Sequence, residues 1–385
     1  MSAKKSDKGR RPSKTSKKPR ESSKTRVSSR KRRPKASEVV AAGSVSEEVV
    51  EKLEGLQSQF GDLQEAVLLT DMRDDIEEIE TALAMLPPGI EELRTRGYVF
   101  RSFLDNKVSV LSEQWEEVQG RLSSEMGRRV RDLEREADSA THALRRAASG
   151  QTADVAQAEA ALETLERKVG AAQSAIEAMY GTLRTNVNQT RSKVEQIRWL
   201  LDQVDEASFQ LYPAEDPVAA CRAQYMESEK EGPEGILYLT DERLIFERKE
   251  KVATKKVLFI ATEKEEVQEL VFEVPIGHVE DVKASQKGFL GRKEMLELVF
   301  GPEADLSDVT LRLRGADNEE WAGLIGRVRS GEISEERTRP KEEAVAEAAR
   351  EVPTKCPTCG ATLDMAVVRG MREVKCEYCG AVIRL

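Results

Sequence analysis

The sequence predicts a multi-domain protein: first a long all-α coiled coil or three-helix bundle, then a small β-barrel with a C-terminal helix, and last a small metal-bound module. Three observations support this prediction. Apolar residues recur at steps of three and four over residues 43–210, which is the spacing of one helix face. Short apolar runs with strand-like alternation follow over 216–331. Two Cys-x-x-Cys motifs lie within 355–385.

The first segment, residues 1–42, is strongly basic. Residues 1–38 hold sixteen Lys and Arg against three acidic residues, whereas the whole 385-residue chain has a formal net charge of −9. With few aliphatic side chains, this segment cannot bury enough apolar surface to offset the entropy of ordering, so disorder is predicted. Its charge suits polyanions, namely nucleic acid contacted through residues 1–40, an anionic membrane surface, or the acidic body of another copy. A solubilising tail without a defined target is the alternative.

Three long helices are predicted over residues 43–210. Pro87-Pro88-Gly89 is predicted to end the first helix and Ser149-Gly150 the second, because neither sequence readily continues a helix. Connections this short favour antiparallel neighbours and therefore a three-helix bundle. Parallel dimeric coiled coils fit the same pattern. Either arrangement makes the helices a spacer or a self-association element.

Strands are predicted over residues 216–331. Residues 235–240 and 243–247, joined at Asp241-Glu242, form a tight hairpin. Further short apolar runs lie at 257–260, 270–274, 279–284, 295–300 and 309–313. Asp317 is predicted to cap a final helix whose Trp321 and Val328 share one face and cover the end of a small barrel.

The hairpin at 235–246 carries a resemblance to a known family. Its sequence, Gly-Ile-Leu-Tyr-Leu-Thr and then Arg-Leu-Ile-Phe, resembles the pleckstrin-homology-like (PH-like) fold, in particular GRAM and bacterial PH-like modules. The Ile-x-x-Val-x-x-Val stretch at 276–282, the loop at 287–291 and the helix with Trp321 complete the resemblance. It covers about residues 218–330 and implies a module that associates with membranes or docks to proteins and is not catalytic.

One loop of this module is a candidate contact with lipid or with a partner. It places Phe289 and Leu290 beside the cations Lys287, Arg292 and Lys293. Apolar side chains flanked by cations suit an anionic bilayer. Against this, segment 214–331 sums to about −8, which would repel such a surface at long range. The alternative is a hairpin tip whose Phe289 only caps the barrel.

A charged linker is predicted over residues 332–354. This stretch is rich in Glu, Arg, Lys and Ala, with one short helix expected near 341–350. As a tether, it would leave the last module free of the barrel.

The last module, residues 355–385, is predicted to hold one structural Zn²⁺. Its ligands would be Cys356, Cys359, Cys376 and Cys379, because two Cys-x-x-Cys turns supply four thiolates in a tetrahedral arrangement. Two disulfides are the alternative, but the basic first segment has no secretory h-region, so an intracellular setting is expected. The two Cys-x-x-Cys-Gly turns resemble those of zinc ribbons, which identifies a fold and leaves function open.

No catalytic constellation is evident in the sequence, so a non-enzymatic protein without a small-molecule substrate is predicted. We expect a cytoplasmic scaffold, peripheral to the inner membrane face where lipid is its target. It would self-associate through its helices and present the PH-like module and the zinc ribbon to protein or membrane partners. The alternative is a nucleic-acid-associated factor that uses the basic segment and the ribbon.

Overall fold

A computed structural model describes residues 46–228, 232–257, 260–287, 293–351, 355–363 and 373–384. The predictions for residues 1–42 lie outside these ranges. The helices are α1 (Glu47–Ala66), α2 (Thr70–Thr95), α3 (Phe103–Ala147), α4 (Thr152–Asp205), α5 (Asn318–Arg329) and α6 (Lys341–Glu351). The strands are β1 (Pro217–Tyr225), β2 (Glu234–Thr240), β3 (Arg243–Val257), β4 (Ile260–Pro275), β5 (Val279–Lys287), β6 (Lys293–Phe300), β7 (Asp308–Arg314), β8 (Glu373–Lys375) and β9 (Val382–Arg384).

Helices α1 to α4 form a three-layer bundle within one chain. Helices α1 and α2 run parallel to α4: Gln59 bonds to Glu166 and Glu92 accepts from Arg198, pairs that are 107 and 106 positions apart. Helix α3 runs antiparallel to α4, with an ion pair between Glu136 and Lys168. The apolar stripes of all four helices are buried against one another. Coiled-coil pairing between chains is therefore not needed to cover them and stays a prediction.

The first helical break differs from the one predicted at Pro87-Pro88-Gly89. Both prolines lie inside α2, which continues to Thr95. A helix can continue past proline when the packing gain exceeds the loss of a backbone hydrogen bond, about 3 kcal/mol. Here Leu86, Ile90 and Leu93 stay on one buried stripe on both sides of the prolines. A Cβ atom on Gly89 would stand only 3.4 Å from Val194 Cγ1, so α2 lies close against α4.

The region therefore has four helices, separated by the predicted break at Ser149-Gly150 and by two breaks that were not predicted. The first lies at residues 67–69, where Leu69 is buried with a left-handed φ of 51°. The second follows Gly97, whose φ of 89° suits glycine and ends α2. Phe100, which the sequence predicts inside a continuous second helix, lies instead in a buried loop. Arg94 holds that loop by donating to the carbonyl oxygens of Tyr98 and Phe100, at 3.0 and 2.7 Å.

Strands β1 to β7 form one antiparallel sheet in the order β4-β3-β2-β1-β7-β6-β5. The predicted hairpin is confirmed, since Leu239 of β2 pairs with Leu244 of β3 across the Asp241-Glu242 turn. The run predicted at 270–274 lies within β4, whereas the run predicted at 257–260 is not a strand of its own, because Val257 ends β3 and Ile260 begins β4. Strands β3 and β4 form one long hairpin in which Val257 pairs with Ile260. Many positions in the outer part of this hairpin are charged, so a search for apolar runs does not detect how long the two strands are.

The sheet curls on itself and is closed at one side by α5. Phe272 of β4 contacts Phe300 of β6 at a ring distance of 6.3 Å, although these strands stand far apart in the sheet order. Helix α5 begins at the predicted cap, where Asp317 accepts from the Glu320 amide at 2.8 Å. The side chains of Trp321, Ile325 and Val328, all on α5, are buried. The strand order and the final helix give a PH-like fold, called the barrel below.

Candidate metal centre and the bundle–barrel junction

The four predicted metal ligands lie together on two matching turns. In the first turn the Gly360 amide donates to the Cys356 carbonyl, and in the second the Gly380 amide donates to the Cys376 carbonyl, both at 2.8 Å. Each turn ends in a glycine with φ near +72° or +71°, a conformation that glycine adopts without strain. Strands β8 and β9 pair beside the second turn. Two equal turns facing each other give a pseudo-twofold set of four thiols.

The spacing of the sulfur atoms fits a tetrahedral metal site. The four Sγ atoms lie within 4.8 Å of one another. Cys356 and Cys379 are 3.6 Å apart, and Cys359 and Cys376 are 3.8 Å apart. Four thiolates at a Zn–S distance of about 2.3 Å would stand about 3.8 Å apart along each tetrahedral edge. The donor set and the distances therefore suit one metal ion, and disulfide bonding, which requires sulfur atoms about 2 Å apart, is not the arrangement present.

Backbone amides favour thiolate at one corner of this cluster. The Cys359 amide lowers the pKa of Cys356 to about 6, with a further contribution from the Thr358 amide. Cys379 accepts a hydrogen bond from the Ala381 amide, which lowers its pKa, but the neighbouring thiols, that of Cys359 first, raise its pKa to about 12. Adjacent thiols resist joint ionisation because like charges repel. A divalent cation removes that repulsion, and four thiolates around it leave no position for substrate or water. A metal ion held in this way would have a structural role.

The predicted lipid-contact loop is described only at its ends. Phe289, Leu290 and Arg292 lie outside the described residues. Lys287 and Lys293 pair across the end of the β5–β6 hairpin, which places two cations side by side. The Lys287 ammonium donates to Glu297 at 2.9 Å and lowers the pKa of that carboxyl group.

A buried cation joins the helical bundle, the barrel and the chain after α5. Arg337 forms ion pairs with Asp216 and with Asp241, and its side chain is 2% exposed. Its guanidinium also lies 4.9 Å from the ring centre of Phe100, in the loop between α2 and α3. Lys341 reaches the same Asp241 carboxylate at 2.7 Å. One arginine thus contacts three separate parts of the chain.

This arrangement corrects the first part, residues 332–341, of the free linker predicted over 332–354, whereas the short helix predicted near 341–350 is present as α6. The Ser102 amide donates to the Glu336 carbonyl at 2.9 Å, and the Thr338 amide donates to the Val99 carbonyl at 2.7 Å. Ile333 is buried in the main core. Residues 332–341 are therefore a strap fixed across the junction, and we call them the strap. Charge alone predicts a solvated tether, but here the charges have buried partners from distant parts of the sequence.

A second buried ion pair lies beside the strap. Arg243 donates from two nitrogens to Glu215, at 2.9 and 2.7 Å, and Glu215 is fully buried. The guanidinium stacks 4.0 Å from the ring centre of Tyr212. Tyr238 donates to Glu247 at 3.1 Å, and the same carboxylate accepts from the Ser208 amide at 2.6 Å. Two-point contacts of this kind fix orientation as well as distance, so the barrel is held at a set angle to the end of α4.

A cavity of about 320 Å³ lies between α4, β1 and α5. Its walls include Trp199, Leu200, Cys221 and Trp321, and Arg222 is at its rim. Burial raises the pKa of the Cys221 thiol, which keeps it protonated and unreactive near neutral pH. Cys221 therefore packs as a small apolar residue.

No family model matches this chain, and no curated protein matches it. Among solved structures, the chain is similar to the N-terminal PH domain of Vps36, at 18% identity over 31% of this chain and 82% of that chain, with a TM-score of 0.21. It is also similar to the DH/PH fragment of PDZRHOGEF in complex with human RhoA, at 10% identity over 75% of this chain and 96% of that chain, with a TM-score of 0.24. The sequence identities and TM-scores are low, so it is the strand order and pairing of β1 to β7 that define the fold.

Among the helices in the described ranges, none combines the length and the apolar content that crossing a membrane needs.

Proposed function

We propose that this chain is a non-enzymatic, cytoplasmic adaptor that offers a PH-like barrel and a zinc ribbon to protein or membrane partners. The observation that carries this function is the junction. Arg337 forms buried ion pairs with two carboxylates on the barrel side and lies against Phe100 of the bundle, and Arg243 forms a buried ion pair with Glu215 between the two. A spacer fixed in this way to a docking module sets the position of a partner relative to everything else the chain binds. Self-association through the helical stripes is not part of the proposal, since those stripes are covered within the chain.

The zinc ribbon is assigned as the second docking element. Its four thiols suit one structural Zn²⁺, bound by Cys356, Cys359, Cys376 and Cys379. A segment this small has too little core to fold unaided, so the metal would supply most of its folding free energy. Tyr378 on its second turn is 77% exposed. An exposed aromatic ring on a rigid turn is a suitable anchor for a protein surface.

The proposed function includes no catalytic activity, because the described reactive groups are poorly placed for catalysis. Cys221 is buried and protonated, and the four remaining cysteines face one another. His142 lies on α3, and His278 of the barrel pairs with Glu303 at 3.3 Å. A nucleophile and a base must lie within hydrogen-bond reach of each other, and these groups do not offer that pair.

Cosedimentation with anionic vesicles tests the membrane branch of this function. Residues 41–385 retain every described element, so they can be tested without the basic segment. We expect binding at low salt that falls as salt rises, because the contact is electrostatic. Reversing the paired cations in Lys287→Glu with Lys293→Glu should abolish it. Arg121→Glu with Arg131→Glu on exposed positions of α3 makes the same charge change away from the barrel and should not.

Each outcome separates the branches. Loss of binding in the barrel variant alone assigns the membrane contact to the β5–β6 end. Equal loss in both variants reduces the effect to net charge and removes the assigned site. No binding by residues 41–385 at low salt overturns the membrane branch, and the barrel and ribbon are then assigned to protein partners.

A further inference from the structure

Helices α1 and α2 carry a much larger net negative charge than the other two helices of the bundle. From Glu47 to Thr95 the sequence holds fourteen acidic residues and three basic ones, a net charge of −11. Helix α3 holds nine acidic and eight basic residues, and α4 holds eight and six. The negative charge of the bundle is therefore concentrated on one of its three layers.

Most of these carboxylates have no partner within the described part of the chain. Those of Asp75, Glu78, Glu80 and Glu92 bond to α3 or α4. The others are exposed and form no ion pair or side-chain hydrogen bond with any described residue. This acidic face consists of Glu47, Glu48, Glu51, Glu54, Asp62, Glu65, Asp71, Asp74, Glu77 and Glu91. Like charges this close raise the free energy of the folded bundle unless something neutralises them.

We propose that the chain's own basic segment, residues 1–45, docks along the acidic face of the same molecule. Its sixteen Lys and Arg and three acids give +13, which nearly balances −11. The segment leads directly into α1 at Glu47. Fully extended, its 45 residues reach about 150 Å, whereas the face spans about 75 Å along two helices. It is thus long enough to follow the whole face.

The covalent connection favours this occupant over a second copy. A segment joined to its own site by a short connection has an effective concentration in the millimolar range. Another molecule would have to reach that concentration to compete. Each exposed ion pair contributes little, so the docking needs many weak contacts and is removed by salt.

A docked segment cannot contact a polyanion with the same cations. The acidic face then acts as an internal competitor, and the apparent affinity for any polyanion falls by the fraction of molecules in which the segment is free. The bundle, besides spacing the barrel, controls access to the basic segment. The acidic face forms no ion pair or side-chain hydrogen bond with the described residues of the barrel or the ribbon, so this inference stands independently of what they bind.

Zero-length carbodiimide cross-linking of the full chain tests where the segment lies, because the reagent joins only amines and carboxylates in contact. An equal mixture of nitrogen-15-labelled and unlabelled chains separates links within a molecule from links between molecules. We expect links from lysines of residues 1–35 to Glu51, Glu54, Asp74 or Glu77 within one molecule, lost at high salt. Links only between molecules would place the segment on a second copy. Absence of links to α1 and α2 would remove the site. Either result overturns the inference.

Affinity for a polyanion tests the competition, with a short fluorescein-labelled oligothymidine as the probe. The face variant of the full chain carries Glu51→Gln, Glu54→Gln, Asp74→Asn and Glu77→Gln. The control removes the same charge from exposed positions of α3 and α4, as Glu113→Gln, Glu116→Gln, Glu134→Gln and Glu163→Gln.

The face variant should bind the probe about tenfold more tightly than the control, because only its segment is released. Both variants carry the same net charge, so a general charge effect would move them together. Equal affinities would therefore overturn the competition.

Discussion

Replacing Arg337 by Met should destabilise the protein far more than replacing an exposed arginine. The Arg337 side chain is 2% exposed and its partners Asp216 and Asp241 are 2% and 5% exposed. Removing one member of a buried ion pair typically costs about 3–5 kcal/mol, because the remaining charge loses its compensation. Lys341 still contacts Asp241, so we expect the lower end, about 3 kcal/mol. That equals a loss of more than a hundredfold in the folding equilibrium constant.

Urea unfolding, followed by circular dichroism and by tryptophan fluorescence, measures this loss as a shift in midpoint at constant slope. Arg135→Met is the matched control, because that side chain is 77% exposed and pairs only with Asp132 on its own helix. It should stay within about 0.5 kcal/mol of the parent protein. Adding Asp216→Asn to Arg337→Met should recover part of the loss. An Arg337→Met effect no larger than the control would refute the junction as described.

Three further predictions concern the cysteines and the prolines. Metal analysis should find one zinc per chain in the parent protein and in Cys221→Ser, and none in Cys376→Ser; a zinc content unchanged in Cys376→Ser would contradict the four-thiol site. Cys221 should not react with a thiol reagent at pH 8 until urea is added, because burial raises its pKa and keeps it protonated; rapid labelling of the folded protein would show an open cavity. Pro88→Ala should stabilise α2 by about 1–3 kcal/mol in the same urea assay, because it restores an amide that can donate to the Ala84 carbonyl. A lower unfolding midpoint would contradict this and would mean that the proline stabilises the helix.

The sequence is informative wherever structure depends on near neighbours. The hairpin around Asp241-Glu242, the Asp317 cap and the clustering of Cys356 with Cys379 all follow from local pattern and spacing. The pattern over 43–210 likewise predicts helices, but it misplaces their breaks. Proline is a strong local signal, and at Pro88 it is overridden by a buried stripe that packs on α4, more than a hundred positions away.

The junction could not be predicted for the same reason. Arg337 lies in a run of charges, which ordinarily indicates a solvated linker. Its partners Asp216 and Asp241 lie 121 and 96 positions away, and no local signal joins them. Gly97 is the signal that could have located the loop between α2 and α3, since a glycine after a helical stripe marks a helix end.

The parallel register of α1 and α4 has a consequence during synthesis. Contacts such as Gln59 with Glu166 span 107 positions, and the other partner of α1, helix α3, also follows it in the chain. A ribosome adding about 5–20 residues each second needs about 5–20 seconds to make that interval. Until α3 and then α4 have been made, no helix that will cover the apolar stripe of α1 exists. The nascent bundle is thus exposed to aggregation during the early part of that interval, and its yield depends on the chaperones that meet it there.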